Sequence, residues 1–338
     1  YWDSVNEKNV LDHEIFDAII KEISSAETFL ILDLFLWNQW IGKTEKKGNF
    51  RRISEDLTNA IISKRVSNPH MPIVIIIDPI NSFYGNQLPY YFDSLKAIGI
   101  PIVTADVSIL PESNWLYSKQ TKFWSNFSSK EFNNNNFKFF PNLITSKGDP
   151  LSLSQYLKSL HFKANHRKVL ISGYKENSNK VIIGGFNASD GKYLDSNVAV
   201  MVTGAVSDYI ARSEIELINL SILNEENLYG NRVHLENALR IIDSELMKES
   251  DFKRFLLRKN GVKYLSEAAF GRSLISELDA SATGTEIDIS AHYLSDRKLI
   301  KSLKSAAKRG TKIRLLLDQN KYSYGYIKTG IPNRSVAD

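Results

Sequence analysis

Ile73-Val74-Ile75-Ile76-Ile77, entered through Pro72 and left through Asp78-Pro79, is an unbroken run of β-branched residues. Such side chains favour an extended backbone. A strand wetted on one face alternates apolar with polar residues, so a run apolar at every position belongs to a strand covered on both faces. Helices must supply that cover, and the flanking sequence has them. His13–Ser24 places apolar residues at 15, 16, 19, 20 and 23, and Ile53–Ser63 and Tyr90–Ile98 also read as helices. Phe29–Trp37 and Pro101–Thr104 read as further buried strands. Helices alternating with buried strands predict an α/β sandwich, a mixed sheet flanked by helices. With 338 residues and 43% hydrophobic content the chain has ample material for two such cores.

The pattern recurs. Phe270–Ala280 (helix), Glu286–Tyr293 (strand), Lys298–Lys308 (helix) and Lys312–Leu317 (strand) follow the order found near the start. The second strand of each copy runs into a similar stretch, Asp78-Pro-Ile-Asn-Ser-Phe-Tyr-Gly85 and Asp318-Gln-Asn-Lys-Tyr-Ser-Tyr-Gly325. Residues 1–225 are expected to form a first domain and 226–338 a second. Between them Val198–Thr203 reads as a strand, Ser207–Leu223 as a helix, and Arg232–Met247 as amphipathic. From about 110 to 150 the periodicity fails, and Trp115, Tyr117, Phe123, Trp124, Phe127 and Phe132 alternate with Ser, Asn and Lys. That stretch is expected to be a long excursion, either a surface cluster of its own or a lid facing an interface.

The residues with most chemistry are Ala164-Asn165-His166-Arg167-Lys168, at the lip of the apolar run Val169-Leu170-Ile171, followed by Gly184-Gly185-Phe186-Asn187. Two residues apart on a strand, His166 and Lys168 share a face, and Arg167 points away. The run Val181-Ile182-Ile183 ends in two glycines and delivers Asn187 nearby. Glycines admit close approach of backbone N–H groups to a ligand. A histidine that can act as nucleophile or acid, a fixed positive charge and neutral donors together suit a phosphate.

His166-x-Lys168 followed by Gly184-Gly185-x-Asn187 resembles the HxK(x)4D…G-(S/G)-x-N signature of the phospholipase D superfamily. Tyr293-Leu-Ser-Asp-Arg297, Ala306-Ala-Lys-Arg-Gly310, Leu315-Leu-Leu-Asp-Gln-Asn-Lys321 and Gly330-Ile-Pro-Asn-Arg334 resemble its cardiolipin synthase-like members. The resemblance implies tandem phospholipase D-like domains. In such proteins a phosphohistidine forms on one motif's histidine, and the other motif's histidine protonates the leaving alcohol. It implies His166 as a catalytic residue, provisionally the nucleophile, with Lys168 and Asn187 holding the phosphate oxygens and Gly184 and Gly185 close to them. The superfamily includes phosphatidyltransferases, phospholipases and nucleases. The expected substrate is a glycerophospholipid, transferred or hydrolysed. A nucleic-acid phosphodiesterase and a non-catalytic phosphate-binding scaffold are the alternatives. The chain departs from the signature at Gly173, where the motif has Asp. No second HxK with the right sequel occurs in residues 180–338, so the second copy is expected to stop before its own motif, and a homodimer is one way to bring a second histidine. The resemblance also implies association with a membrane surface, in a bacterial envelope.

Several other readings are excluded or set aside. The chain has no Cys and hence no disulfide or thiolate metal site. His13, His70, His234 and His292 have no second ligand at metal spacing, so neither metal nor cofactor is expected. His161-Phe-Lys163 is an HxK without a strand directly behind it. The net charge of +5 selects neither lipid nor nucleic acid. No apolar run reaches the ~18–20 residues of a membrane span, and no P-loop, G-x-G-x-x-G or serine elbow is present. Asp78 and Asp318 read mainly as turn-formers, with the cleft as a second possibility, and Ser189 and Asp190 as a helix cap.

Overall fold

The structure is a computed structural model, and it describes residues 2–3, 8–9, 12–40, 51–82, 89–110, 138–140, 150–152, 155, 163–192, 195, 197–246, 262–319, 322–323, 326–327, 330 and 333–337. Contacts divide the chain into two compact units, the first made mostly of residues before 264 and the second mostly of Tyr264–Asp338.

The first unit opens with helix α1 (Glu14–Ser25), strand β1 (Leu30–Leu34), the short strand β2 (Trp37–Asn38), helix α2 (Ile53–Ser67) and strand β3 (Ile73–Ile77). Helix α3 (Tyr90–Ala97) and strand β4 (Ile102–Thr104) follow. Beyond them come strands β5 (Lys168–Ser172), β6 (Lys180–Gly184), β7 (Ala188–Ser189) and β8 (Ala199–Thr203). Helix α4 (Ala205–Ser221), strand β9 (Leu228–Tyr229) and helix α5 (Arg232–Glu245) complete the unit. Among the described residues seven strands form one sheet in the order β8-β6-β5-β1-β3-β4-β9. β1, β3 and β4 are parallel, and the strands outside them are antiparallel to their neighbours. The fold is thus a mixed sheet flanked by helices.

Every residue of β1 and β3 is buried, as the β-branched run requires. One face sends Leu30, Leu32, Leu34, Ile73, Ile75 and Ile77 into a core with Phe16, Ile19 and Ile23 of α1 and Leu57 and Ile61 of α2. The opposite face turns Ile31, Asp33, Val74 and Ile76 toward α4 and α5, which contact β1 and β3 respectively. Fully burying one Leu or Ile contributes ~1.5–3 kcal/mol, so helices on both faces hold the sheet far more firmly than helices on one.

In the second unit helix α6 (Glu267–Ala280), strand β10 (Glu286–Ala291), helix α7 (Arg297–Lys308) and strand β11 (Lys312–Leu317) repeat the order of α1, β1, α2 and β3. β10 and β11 are parallel, as β1 and β3 are. Leu278, Leu294 and Leu303 centre its core. Its sheet is built differently on the far face. Asp288 pairs there with Arg314 at 2.7 Å and Glu286 with Lys312 at 3.0 Å, where the first unit has buried apolar residues.

An asparagine marks the repeat at atomic level. Asn81 Nδ2 donates to Phe35 O and Asp78 O, and its Oδ1 accepts from Trp37 N. Asn333 Nδ2 donates to His292 O and Asp318 O, and its Oδ1 accepts from Leu294 N. Each asparagine clips the C-terminal ends of two parallel strands, so Phe35 answers to His292 and Asp78 to Asp318.

Three expectations change in detail. Phe29–Trp37 is two strands, because Asn81 takes the backbone groups of Phe35 and Trp37 and ends the first. Arg232–Glu245, grouped from sequence with residues 226–338, packs against β3 in the first unit. Leu228–Tyr229, between the stretches read as a helix and as amphipathic, pairs with β4. The excursion at 110–150 lies mostly outside the described residues, as do residues 83–85, 320–321 and 324–325 of the matched turns.

Candidate active site

Chain direction brings the two motifs together. β5 lies antiparallel to both β1 and β6, so its beginning, Lys168, stands at the end of β1, opposite Leu34. Ile183 pairs with Val169, which carries Gly184 to the level of Lys168. β7 then pairs with β2 and fixes the segment after Asn187. His166, Lys168 and Asn187 are thereby gathered where β1 and β3 end, the edge at which open α/β sheets bind ligands.

His166 is exposed, and its ring lies against Phe35 with centroids 4.4 Å apart. Lys168 is 3% exposed. Its ammonium donates to His166 O at 2.7 Å and sits 4.8 Å from the centre of the Phe35 ring. An ammonium has three donors, and the carbonyl takes one. Burial pulls the Lys168 amine down to about 7, against the opposing pull of Asp33 and Asp78. Arg167 points the other way, as alternation requires, and pairs with the fully buried Glu214 of α4 at 3.2 Å.

Beneath the pair lies a carboxylate network, of which Asp78 alone stood among the sequence candidates. Asp78 accepts from Ile80 N at 2.8 Å, as a turn-former, and from Asn165 N at 2.6 Å. It is therefore part of the turn and part of the site floor. Asn165 Nδ2 donates to both oxygens of Asp33, at 2.7 and 2.9 Å. Asp33, Asp78, Asn165 and Glu214 are all at most 2% exposed. Burial pushes Asp78 up to about 7. Burial pushes Asp33 well above the carboxylate range, and the charge of Glu214 and the hydrogen bond with it push it further. A polar residue inside an otherwise apolar strand, as Asp33 is in Leu30–Leu34, was the one available sequence signal.

Gly173 has no room for the motif's Asp. A Cβ there would come within 2.3 Å of Phe29 Cδ1 and 2.4 Å of Thr28 Oγ1. Gly184 is equally confined, by Val198 O at 2.7 Å and Ala199 Cβ at 2.8 Å. The Gly185 N–H donates to Val198 O at 3.0 Å. Strand packing thus accounts for Gly184, and the expectation that the Gly185 amide faces a phosphate meets a competing acceptor. Asn187 Oδ1 is buried without a hydrogen-bond partner among the described residues. Such a group costs ~1–3 kcal/mol, so the side chain is one that the fold has not consumed.

The remaining candidates fall outside this cluster. Lys163 of the other HxK donates to Leu110 O at 2.9 Å, and His161 lies outside the described residues. Asp190 accepts from Ser54 N at 2.9 Å in the first turn of α2, a distant helix rather than the turn it opens. A recess beside that helix end, lined by Arg52, Ser54, Tyr91 and Asp190, includes neither His166 nor Lys168. Among the described residues no group of three or more His, Asp or Glu is placed to hold a metal ion.

Residues 274–337 match the family described as cardiolipin synthase, PLD-like domain. The match lies in the second unit, and the repeat relates that unit to the one that carries His166. The fold is similar to that of phosphatidylserine synthase from Haemophilus influenzae, with a TM-score of 0.50, 11% identity and 96% of this chain covered. The chain spans 63% of the length of that protein. Nuc from Salmonella typhimurium, titled a phospholipase D family member, is 15% identical with a TM-score of 0.31, over 64% of this chain and 90% of its own. NucT from Helicobacter pylori is 12% identical with a TM-score of 0.32, over 64% and 91%. None of the curated proteins compared with the chain matches it. Fold and family match agree with the phospholipase D-like resemblance read from the motifs.

Proposed function

We propose that the chain belongs to an enzyme that cleaves or transfers the phosphodiester of a glycerophospholipid, with His166 as its nucleophile. The observation that supports this most is the buried Lys168 ammonium, two of its donors without a partner among the described residues, beside an exposed imidazole at the strand ends. In the proposed reaction His166 Nε2 or Nδ1 attacks phosphorus, the bond to the leaving alkoxide breaks, and the N–P bond forms. The leaving oxygen takes a proton from an acid. A lipid hydroxyl or water then attacks phosphorus, gives up its proton and releases the imidazole. Lys168 neutralises a non-bridging oxygen and Asn187 binds another. Phosphatidyl transfer and hydrolysis share the first half of this cycle, and the acceptor decides between them. The substrate places the enzyme at a membrane surface. No helix among the described residues is long and apolar enough to cross a membrane.

His166→Ala in the native enzyme should lower turnover of phosphatidylglycerol vesicles by more than 1,000-fold and leave the melting temperature within a few degrees, since the ring is exposed. Undiminished lipid turnover contradicts the assignment. Cleavage of single-stranded DNA with steep salt dependence, in place of lipid turnover, would move the substrate to nucleic acid.

A further inference from the structure

Position 173, where the resemblance expects a carboxylate, has no space for a side chain, and three other carboxylates are buried at the opposite end of β5, beside Lys168. Burying an acid costs several kcal/mol unless hydrogen bonds and partner charges offset it. Asp33, Asp78 and Glu214 are each at most 1% exposed, and each has a bond to the segment that holds the motif. Asn165 is gripped twice, its backbone N–H by Asp78 after β3 and its side chain by Asp33 of β1. The next residue is His166, whose carbonyl receives the Lys168 ammonium. Arg167 is tied to Glu214. Oε2 of Glu214 is buried with no hydrogen-bond partner among the described residues. Asn165 and Arg167, on either side of His166, are therefore anchored to β1, to the turn after β3 and to α4 before the chain enters β5.

We propose that Asp33 and Asp78 are positioning residues for His166 and Lys168, acting through Asn165. The consequence for turnover rests on the phosphoryl-transfer reading, and the consequence for Lys168 does not. Among the described residues, Asp33 on β1, Asp78 after β3 and His166 in the same segment are the titratable groups around Lys168, with Glu214 and Arg167 facing Asp33. Asp78→Asn keeps the side-chain volume, removes the carboxylate beside the ammonium, and leaves one of the N–H groups of Ile80 and Asn165 without its acceptor. Asn165→Ser keeps the backbone bond to Asp78 and severs the link to Asp33.

The test compares wild type, Asp78→Asn and Asn165→Ser as full native chains. Acetic anhydride labelling of Lys168 is followed against pH by mass spectrometry, beside kcat and KM on phosphatidylglycerol vesicles. Asp78→Asn should move the Lys168 labelling midpoint to lower pH, and each variant should lose kcat by about 100-fold with KM changed less than threefold, the signature of a misplaced reacting group. If Asp78→Asn does not fold, Asn165→Ser carries the same expectation for kcat. A variant that only lowers the melting temperature, with labelling midpoint and low-temperature kcat unchanged, overturns the proposal. A shifted midpoint in a protein whose wild type turns over no phosphodiester supports the network and sinks the functional reading instead.

Discussion

Lys168 holds its charge where burial opposes it, and pH exposes the balance. Only the ammonium form neutralises a phosphate, so affinity for inorganic phosphate should weaken as pH rises through about 7. Lys168→Arg stays charged throughout, and calorimetry at pH 6 to 9 should find its affinity nearly flat. An equally steep decline in both proteins contradicts the role of Lys168. Stability follows the opposite signs of the two shifts. Between about 7 and the usual 10.5 the unfolded lysine holds a proton that the folded one has released, so Lys168 makes stability rise with pH there. Asp78 acts between 3.8 and about 7, where the folded carboxyl keeps a proton that the unfolded one has lost, so its contribution rises as pH falls. Gly173→Asp should not restore a motif. With Phe29 and Thr28 within 2.4 Å of the added Cβ, it should cost about 3 kcal/mol or more, read as a lower urea midpoint, and a midpoint at or above wild type would contradict the packing described. His166, Lys168 and Asn187 were legible because their types and spacing announce phosphate chemistry. Asp33, Asn165 and Glu214 were not, because their meeting depends on strand pairing and on α4, at sequence separations that no motif spans.

At the scale of elements, the asparagine clips decide where strands end. Asn81→Ala removes three hydrogen bonds that hold the ends of β1, β2 and β3 together, and Asn333→Ala removes the matching three in the second unit. A buried carbonyl or amide left without its partner costs ~1–3 kcal/mol, so Asn81→Ala should destabilise by several kcal/mol. Hydrogen exchange should show the loss first at Trp37, and unchanged protection there contradicts the clip. These clips also explain the limits of pattern reading. Apolar periodicity found β1, β3, β10, β11 and their helices, since burial on each face is written in residue type. It ran Phe29–Trp37 together as one strand, because the break comes from a side chain 44 positions away. Leu228–Tyr229 was missed for a related reason: two residues carry no periodicity, and only β4 makes them a strand.

For the whole molecule, the repeated order of elements and the paired asparagines show two copies of one plan with different outer faces. In the first copy both faces of the sheet are covered and the motif strand β5 lies beside β1. In the second, ion pairs cover the far face of β10 and β11. His292 and Asp318, 3.9 Å apart, stand where the first copy has Phe35 and Asp78. The chemistry proposed therefore concentrates in the first unit, on one histidine. The most direct test of that claim is to quench the native enzyme during turnover of phosphatidylglycerol at alkaline pH and locate the adduct by peptide mass spectrometry. A phosphatidyl group on His166, absent from His166→Ala, is the expected result. Turnover with the adduct on another residue, or with none at His166, would contradict it.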